Sequence, residues 1–329
     1  MKSTMKKLSV AVAAALFVAA CGGSAASPSA SALAGEITID GSSTVYPITE
    51  AVAEEFQNAN SGVQVTVAFS GTGGGFKKFC AGETDANDAS RPIKTSDKPG
   101  ADGVDGTPDD ELSEATVCKN AGIEYVELKV AIDALAVVVS KENTFVDCLT
   151  TAELKSIWDL GSTVTTWADV RAGWPAQKID LYGPGADSGT FDYFTEVING
   201  KTDQSRSDYT ASEDDNTLVA GISGSQYALG YFGLAYVTEN ADKVRAVEID
   251  GGKGCTAPSA DAANNGTYVP LGRPLFVYAS KAALARPEVA AFFRFFLENT
   301  NELSASVGYI GLKDGDLAAS KAALEAALK

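Results

Sequence analysis

In three places this chain passes from a strand through a turn rich in Gly, Ser and Thr directly into a helix. The stretches are "EITIDGSSTVYPI" (Glu36–Ile48), "VQVTVAFSGTGGGFKKF" (Val63–Phe79) and "KIDLYGPGADSGTFDYF" (Lys178–Phe194). A chain that alternates strands and helices in this way buries both by stacking helices on a largely parallel sheet, which makes the fold α/β. The turns then lie at the carboxyl ends of strands, where open α/β sheets bind ligands. Further strands are expected at "IEYVEL", "DALAVVVS", "ALGYFG", "VRAVEI" and "LFVYAS". Helices are expected at Pro47–Asn58, from the Thr150–Glu153 capping box through Ile157, after a Ser212–Asp215 cap, at Pro287–Asn299 and in the final "LAASKAALEAAL". Phe292, Phe293, Phe295 and Phe296 read as core and interdomain packing.

The first twenty residues read as a signal peptide. Lys2, Lys6 and Lys7 precede an apolar run from Leu8 to Ala20, too short to span a bilayer. Val18-Ala19-Ala20-Cys21 resembles a lipobox, which implies a lipid on Cys21, and residues 21–34 read as a Gly/Ser/Ala/Pro tether. Losing the three lysines takes the formal charge from −17 to −20 and leaves 309 of 329 residues, enough for two domains. Such a charge repels nucleic acid and anionic lipid, so any bound anion needs a local site. Cys80, Cys118, Cys148 and Cys255 suggest two disulfides in an exported protein. Three pairings are possible; Cys80–Cys118 with Cys148–Cys255 keeps each bridge inside one proposed domain. Four buried thiols are the alternative. The Gly/Asp-rich stretch Ser96–Glu111 lacks the spacing of a calcium loop and reads as a solvated loop.

What chemistry can three such turns perform? The first N–H groups of a helix lack intrahelical acceptors and carry partial positive charge, which suits an oxyanion. Glycine lets the backbone come close, and Ser and Thr add uncharged donors. A few hydrogen bonds to a charged group, at about 1.5–3 kcal/mol each, reach the ~8 kcal/mol of micromolar binding. Taken singly, each turn is more often an ordinary N-cap. The chain has no histidine, so Ser-His-Asp and Cys-His catalysis are excluded. No CxxC zinc spacing occurs, and a Walker A pattern counted from Gly71 meets Phe76 where its second glycine belongs. No enzyme, metal or cofactor is expected.

Taken together, "GSSTVYPI", "SGTGGGFKKFCAGETDANDASRPI", "GPGADSGTFDYFTE" and "EDDNTLVAGISGSQYALGYFGLAY" resemble the phosphate-binding subunit of bacterial phosphate ABC importers, the PstS family. The resemblance runs over nearly the whole mature chain. It implies a type II periplasmic-binding-protein fold, with two lobes, two chain crossings and one phosphate in the cleft. Carried over by motif, the phosphate ligands are Ser43, Thr44 and Val45; Ser70, Gly71 and Thr72; and Ser188, Gly189 and Thr190. Many members carry an aspartate after "AS"; this chain has Arg91 there. Many also carry an arginine before Asp-Ser-Gly-Thr; here that place holds Gly183-Pro184-Gly185. Arg91 is therefore the candidate cation, and Asp187 or Asp88 the candidate acceptor for the phosphate proton, Asp187 alternatively capping its helix.

The expected lobes are 35–134 with 274–329, and 135–273. The expected life of the protein is as a monomer, lipid-anchored in a periplasm or on the outer face of the cytoplasmic membrane, delivering phosphate to a membrane permease. Rival readings are a receptor for sulfate or molybdate, a surface-anchored phosphatase or serine hydrolase, and a structural or adhesive surface protein.

Overall fold

The computed structural model describes residues 33–100, 107, 109, 111–186, 188–212 and 214–329. Cys21, the signal segment and most of the tether lie outside the described residues. Leu33, expected in the tether, packs against the core.

The first half is built from strand–helix units. Strand β1 (Gly35–Gly41) leads into α1 (Tyr46–Ala59), β2 (Val63–Val67) into α2 (Thr72–Cys80), and β3 (Ala86–Ala89) precedes α3 (Glu114–Asn120). β1 pairs in parallel with β2 and β3, so the turns after β1 and β2 open at the same end of the sheet. Strand β4 (Tyr125–Ser140) follows. "IEYVEL" and "DALAVVVS", expected as separate strands, belong to this one element. No Gly or Pro interrupts Ile123–Ser140, so nothing local breaks it.

The middle of the chain contains β5 (Cys148–Thr150), α4 (Thr151–Trp158), α5 (Trp167–Val170), β6 (Asp180–Gly183) and α6 (Gly189–Phe194). α6 continues into a wide π-type turn, Thr195–Asn199. Then come β7 (Thr210–Ala211), α7 (Asp215–Ser223), β8 (Ala228–Gly233), α8 (Leu234–Glu239), β9 (Val244–Ala246), β10 (Glu248–Asp250), β11 (Cys255–Thr256) and α9 (Ala260–Asn264). The Thr150 capping box forms as expected. The expected Ser212–Asp215 cap forms as well, made by Asp214, whose carboxylate accepts from Asn216 N–H at 2.9 Å. One further expectation needs correction. "VRAVEI" is two strands, because Val247 N–H bonds Val137 O while Glu248 N–H bonds Asp147 O.

The chain returns through β12 (Gly272–Ser280) and ends in α10 (Lys281–Leu284), α11 (Pro287–Ser306) and α12 (Asp314–Ala327). The main sheet has the order β2-β1-β3-β12-β4-β8-β6-β7, with β9 also on β4. β4 joins its two parts. Up to Ala134 it pairs antiparallel with β12, and from Leu135 it pairs with β8.

Separate apolar clusters flank that change of partner. One contains Ile37, Val52, Phe56, Leu128, Phe292, Phe293 and Phe296; another contains Leu135, Trp158, Trp167, Phe194 and Tyr231. The phenylalanines of α11 pack on α1 inside the first cluster, with Phe56 edge-on to Phe292 at 5.4 Å. Their expected core role is borne out, and none of the four belongs to the second cluster. Truncating one such buried Phe to Ala costs about 3–5 kcal/mol. Disulfides Cys80–Cys118 and Cys148–Cys255 tie α2 to α3 and β5 to β11.

Candidate functional site

The turn after β1 is held by a backbone bond to β3 and by one of its own hydroxyls. Ser42 N–H donates to Asp88 O at 2.9 Å, and Thr44 N–H donates to Ser42 Oγ at 3.2 Å. Gly41 could not be larger, since a Cβ there would stand 2.1 Å from Asp88 O. The turn after β2 rests on Asp40. Its carboxylate accepts from Ser70 Oγ at 2.8 Å and from Lys78, an ion pair that bridges turn and helix. Burial alone would raise the Asp40 pKa; the bonds from Lys78, Ser70 and Gly41 N–H outweigh it and hold the group below the usual range. Gly71 caps α2 at φ +78°, a left-handed conformation that other residues rarely adopt. Thr72 Oγ1 then takes a hydrogen bond from Ser90 N–H at 3.2 Å.

The third segment is anchored from behind. Phe191, Tyr193 and Phe194 are buried, and Phe194 stacks on Tyr231 of β8 at 3.8 Å. That packing leaves Asp192 and Glu196, one helical turn apart, facing the first two turns.

The three segments enclose a cavity of about 200 Å³, lined by Ser42, Ser43, Thr44, Gly71, Thr72, Gly73, Ser90, Arg91, Asp192, Tyr193, Glu196, Thr202 and Arg273. At roughly 30 Å³ per water, it has room for one small ion with some hydration. Ser43 Oγ donates to Asp192 at 2.9 Å, joining the first turn to α6. Burial pushes Asp192 up to about 6; the Asp203 carboxyl adds to the shift, and the bond from Ser43 and the charge of Arg273 oppose it.

The expected ligands separate into two groups. Ser43, Thr44, Gly71, Thr72 and Arg91 line the cavity. Val45 is buried in the core and its N–H bonds Ser42 O, while Ser70 is spent on Asp40. Ser188 caps α6 by accepting from Thr190 N–H at 3.2 Å, and Gly189 lies against Thr44, so the third turn abuts the first without lining the cavity. Asp187 lies outside the described residues; the cap it was a candidate for is made by Ser188. Asp88 sits behind the first turn, fully buried. Oδ1 accepts from Thr49 at 3.0 Å, and Oδ2 has no partner among the described residues. Burial pushes Asp88 up to about 8. Arg91 forms a two-pronged pair with Glu114 at 2.7 and 2.9 Å.

Sequence reasoning passed over Asp192, Glu196 and Arg273. The spacing Ser188, Asp192, Glu196 places all three on one helical face, a signal that was present. Arg273 carried none, because its place in the cavity depends on the pairing of β12 with β4.

The chain matches the PBP superfamily domain over residues 26–300. Protein SphX of Synechococcus elongatus is 46% identical over 286 residues, 86% of this chain and 79% of that protein. The phosphate-binding protein PstS of Staphylococcus saprophyticus is 35% identical over 318 residues, 96% of this chain and 92% of that protein. A possible phosphate binding protein from Planctomyces limnophilus superposes with a TM-score of 0.82 at 50% identity, covering 90% of this chain and 100% of that one. An ABC-type phosphate transport receptor from Vibrio cholerae shares the fold at a TM-score of 0.60 and 24% identity, over 84% of this chain and 99% of that one.

Proposed function

The chain belongs to the PstS-type phosphate-binding receptors of the PBP superfamily, and from that premise we propose that it captures inorganic phosphate in this cavity, outside the cytoplasm, for an ABC permease. Its fold is the two-lobed type II fold of that family. The observation that carries the reading is the convergence of Ser43, Thr44, Gly71 and Thr72, from two separate strand–helix turns, with Arg91 and Arg273 on one small cleft. The N-terminal turn of α2 forms one wall of it, and such a turn offers N–H groups without intrahelical acceptors. Backbone donors and hydroxyls can hold an anion despite a formal charge of −17.

We read residues 35–134 with 274–329 as one lobe and 135–273 as the other. The change of partner along β4 at Ala134/Leu135 supports this, as do the Phe56 and Trp158 clusters on its two sides; a third cluster, with Ile132, Leu218, Phe232 and Leu312, packs across the boundary. Phosphate touching both lobes favours the closed form through contacts the open form lacks. The closed form is what the permease receives. Cys21 carries the lipid that holds a monomeric receptor at the membrane, and intact-mass measurement of the exported protein tests that anchor.

Calorimetry of the mature protein with phosphate, arsenate and sulfate tests the binding itself. Phosphate is expected to bind at micromolar concentration or below, and sulfate at neutral pH more weakly. A preference for sulfate would move the protein to another oxyanion, and no heat with any of the three would end the reading.

A further inference from the structure

Two arginines line the cavity, and they are held in different ways. Both guanidinium NH2 groups of Arg91 bind Glu114, at 2.9 and 2.7 Å, and Nη1 also donates to Pro92 O at 3.2 Å. That cation is already answered by a carboxylate in fork-to-fork geometry. Arg273 differs. It lies at the start of β12, directly opposite Asp133 of β4. Its side chain is 12% exposed, and its carboxylate contacts are single and long: 3.4 Å from Nε to Asp133 and 3.5 Å from Nη1 to Glu196.

Two further contacts fix its plane. Cζ stands 3.4 Å from the centre of the Tyr193 ring, and Nη2 donates to Thr44 Oγ1 at 3.0 Å. Among the described residues its hydrogen bonds go to Asp133 and Thr44 alone, whereas a guanidinium carries five N–H donors. Arg273 is thus a largely dehydrated, oriented cation with donor capacity to spare, set between the first turn and α6.

We propose that Arg273 is a phosphate-binding residue, supplying the positive charge of the cavity and drawing Thr44 and Tyr193 together around the ion. The proposal rests on the phosphate-binding reading above. An arginine in this setting suits a tetrahedral oxyanion, since its fork can span two oxygens while the ring behind it bars water from the other face. Asp133 and Glu196 act as placeholders for the charge. They keep the buried guanidinium from being unpaired before the ion arrives, and their long, single contacts are weak enough to yield to it.

Phosphate titration calorimetry on a small set of variants tests this. Arg273→Met alone strands the buried Asp133 carboxylate, so it is paired with Asp133→Asn, and folding is checked by near-UV circular dichroism and Tm without phosphate. The folded double variant is expected to bind phosphate roughly tenfold or more weakly than the parent, and Arg273→Lys to recover only part of the loss. Glu196→Gln removes an opposing charge from the cavity wall and is expected to tighten binding by about threefold. A merely structural Arg273 would lower Tm without moving either affinity. A folded double variant within threefold of the parent, or a Glu196→Gln protein that binds more weakly, overturns the assignment. If the parent binds no oxyanion at all, it is the phosphate reading that fails, and this inference falls with it.

Discussion

Gly189 touches Thr44 so closely that a Cβ on the glycine would stand 3.1 Å from the Thr44 Cα and 3.3 Å from its Oγ1. The start of α6 and the turn after β1 therefore meet backbone to backbone, with no side chain between them. This contact, together with the Ser43–Asp192 hydrogen bond, joins segments 149 residues apart in the chain.

Adding one methyl at that contact should separate the segments without harming either one. Gly189 is the first residue of α6, where alanine is a better helix former than glycine. Gly189→Ala is thus expected to leave the protein folded while weakening phosphate binding by about tenfold, or ~1.4 kcal/mol. Thermal melts and calorimetry decide it; unchanged affinity would show that the contact can give way at no cost to binding.

Arg91 faces the cavity but is committed to Glu114. If it turns to the anion on binding, Arg91→Ala should weaken phosphate by more than threefold. A smaller loss would remove Arg91 from the site and leave Arg273 as its cation.

The two disulfides should differ in access to reductant. Cys80 and Cys118 are buried, whereas Cys255 is exposed and Cys148 partly so. Mild reduction followed by alkylation and mass spectrometry should label Cys148 and Cys255 first. Opening that bridge frees a loop of 107 residues and should lower Tm, by an amount corresponding to roughly 2–5 kcal/mol. Phosphate affinity should persist, because neither cysteine lines the cavity. Labelling of Cys80 and Cys118 at the same rate would contradict the burial argument.

Asp88 makes stability depend on pH. Its carboxyl is raised to about 8 by burial, while an aspartate in an unfolded chain titrates near 3.9. Between those values the folded protein holds a proton that the unfolded chain has released. Stability contributed by this group therefore falls as pH rises from about 4 to about 8, by at most about 1.4 kcal/mol per unit. Asp88→Asn keeps an acceptor for Thr49 and removes the titration. Its Tm should exceed the parent's at about pH 8 and decline less over that range; parallel Tm–pH curves for the two proteins would refute the shift.

Much of the local structure was legible because it is made by neighbours in sequence. The Thr150 capping box, the β-branched strand into Ser70-Gly71-Thr72 and the Ser188 helix start all rest on residues within a few positions of each other. The two places where strand limits were misjudged were decided by distant partners: β4 runs on unbroken between β12 and β8, and Val247 changes partner from Val137 to Asp147.

The sequence by itself determined the α/β class, the three strand–turn–helix units, the absence of histidine and the likeness to the PstS family, since propensity, capping and composition act over short range. Only the tertiary structure decided which of those groups share a cavity. Antiparallel register across β12 and β4 sets Arg273 opposite Asp133, and packing of Phe194 on Tyr231 turns Asp192 and Glu196 inward. Burial behind the first turn takes Asp88 out of the cavity wall. Pairing register and burial depend on residues far apart in the chain, and no short stretch of sequence carries them.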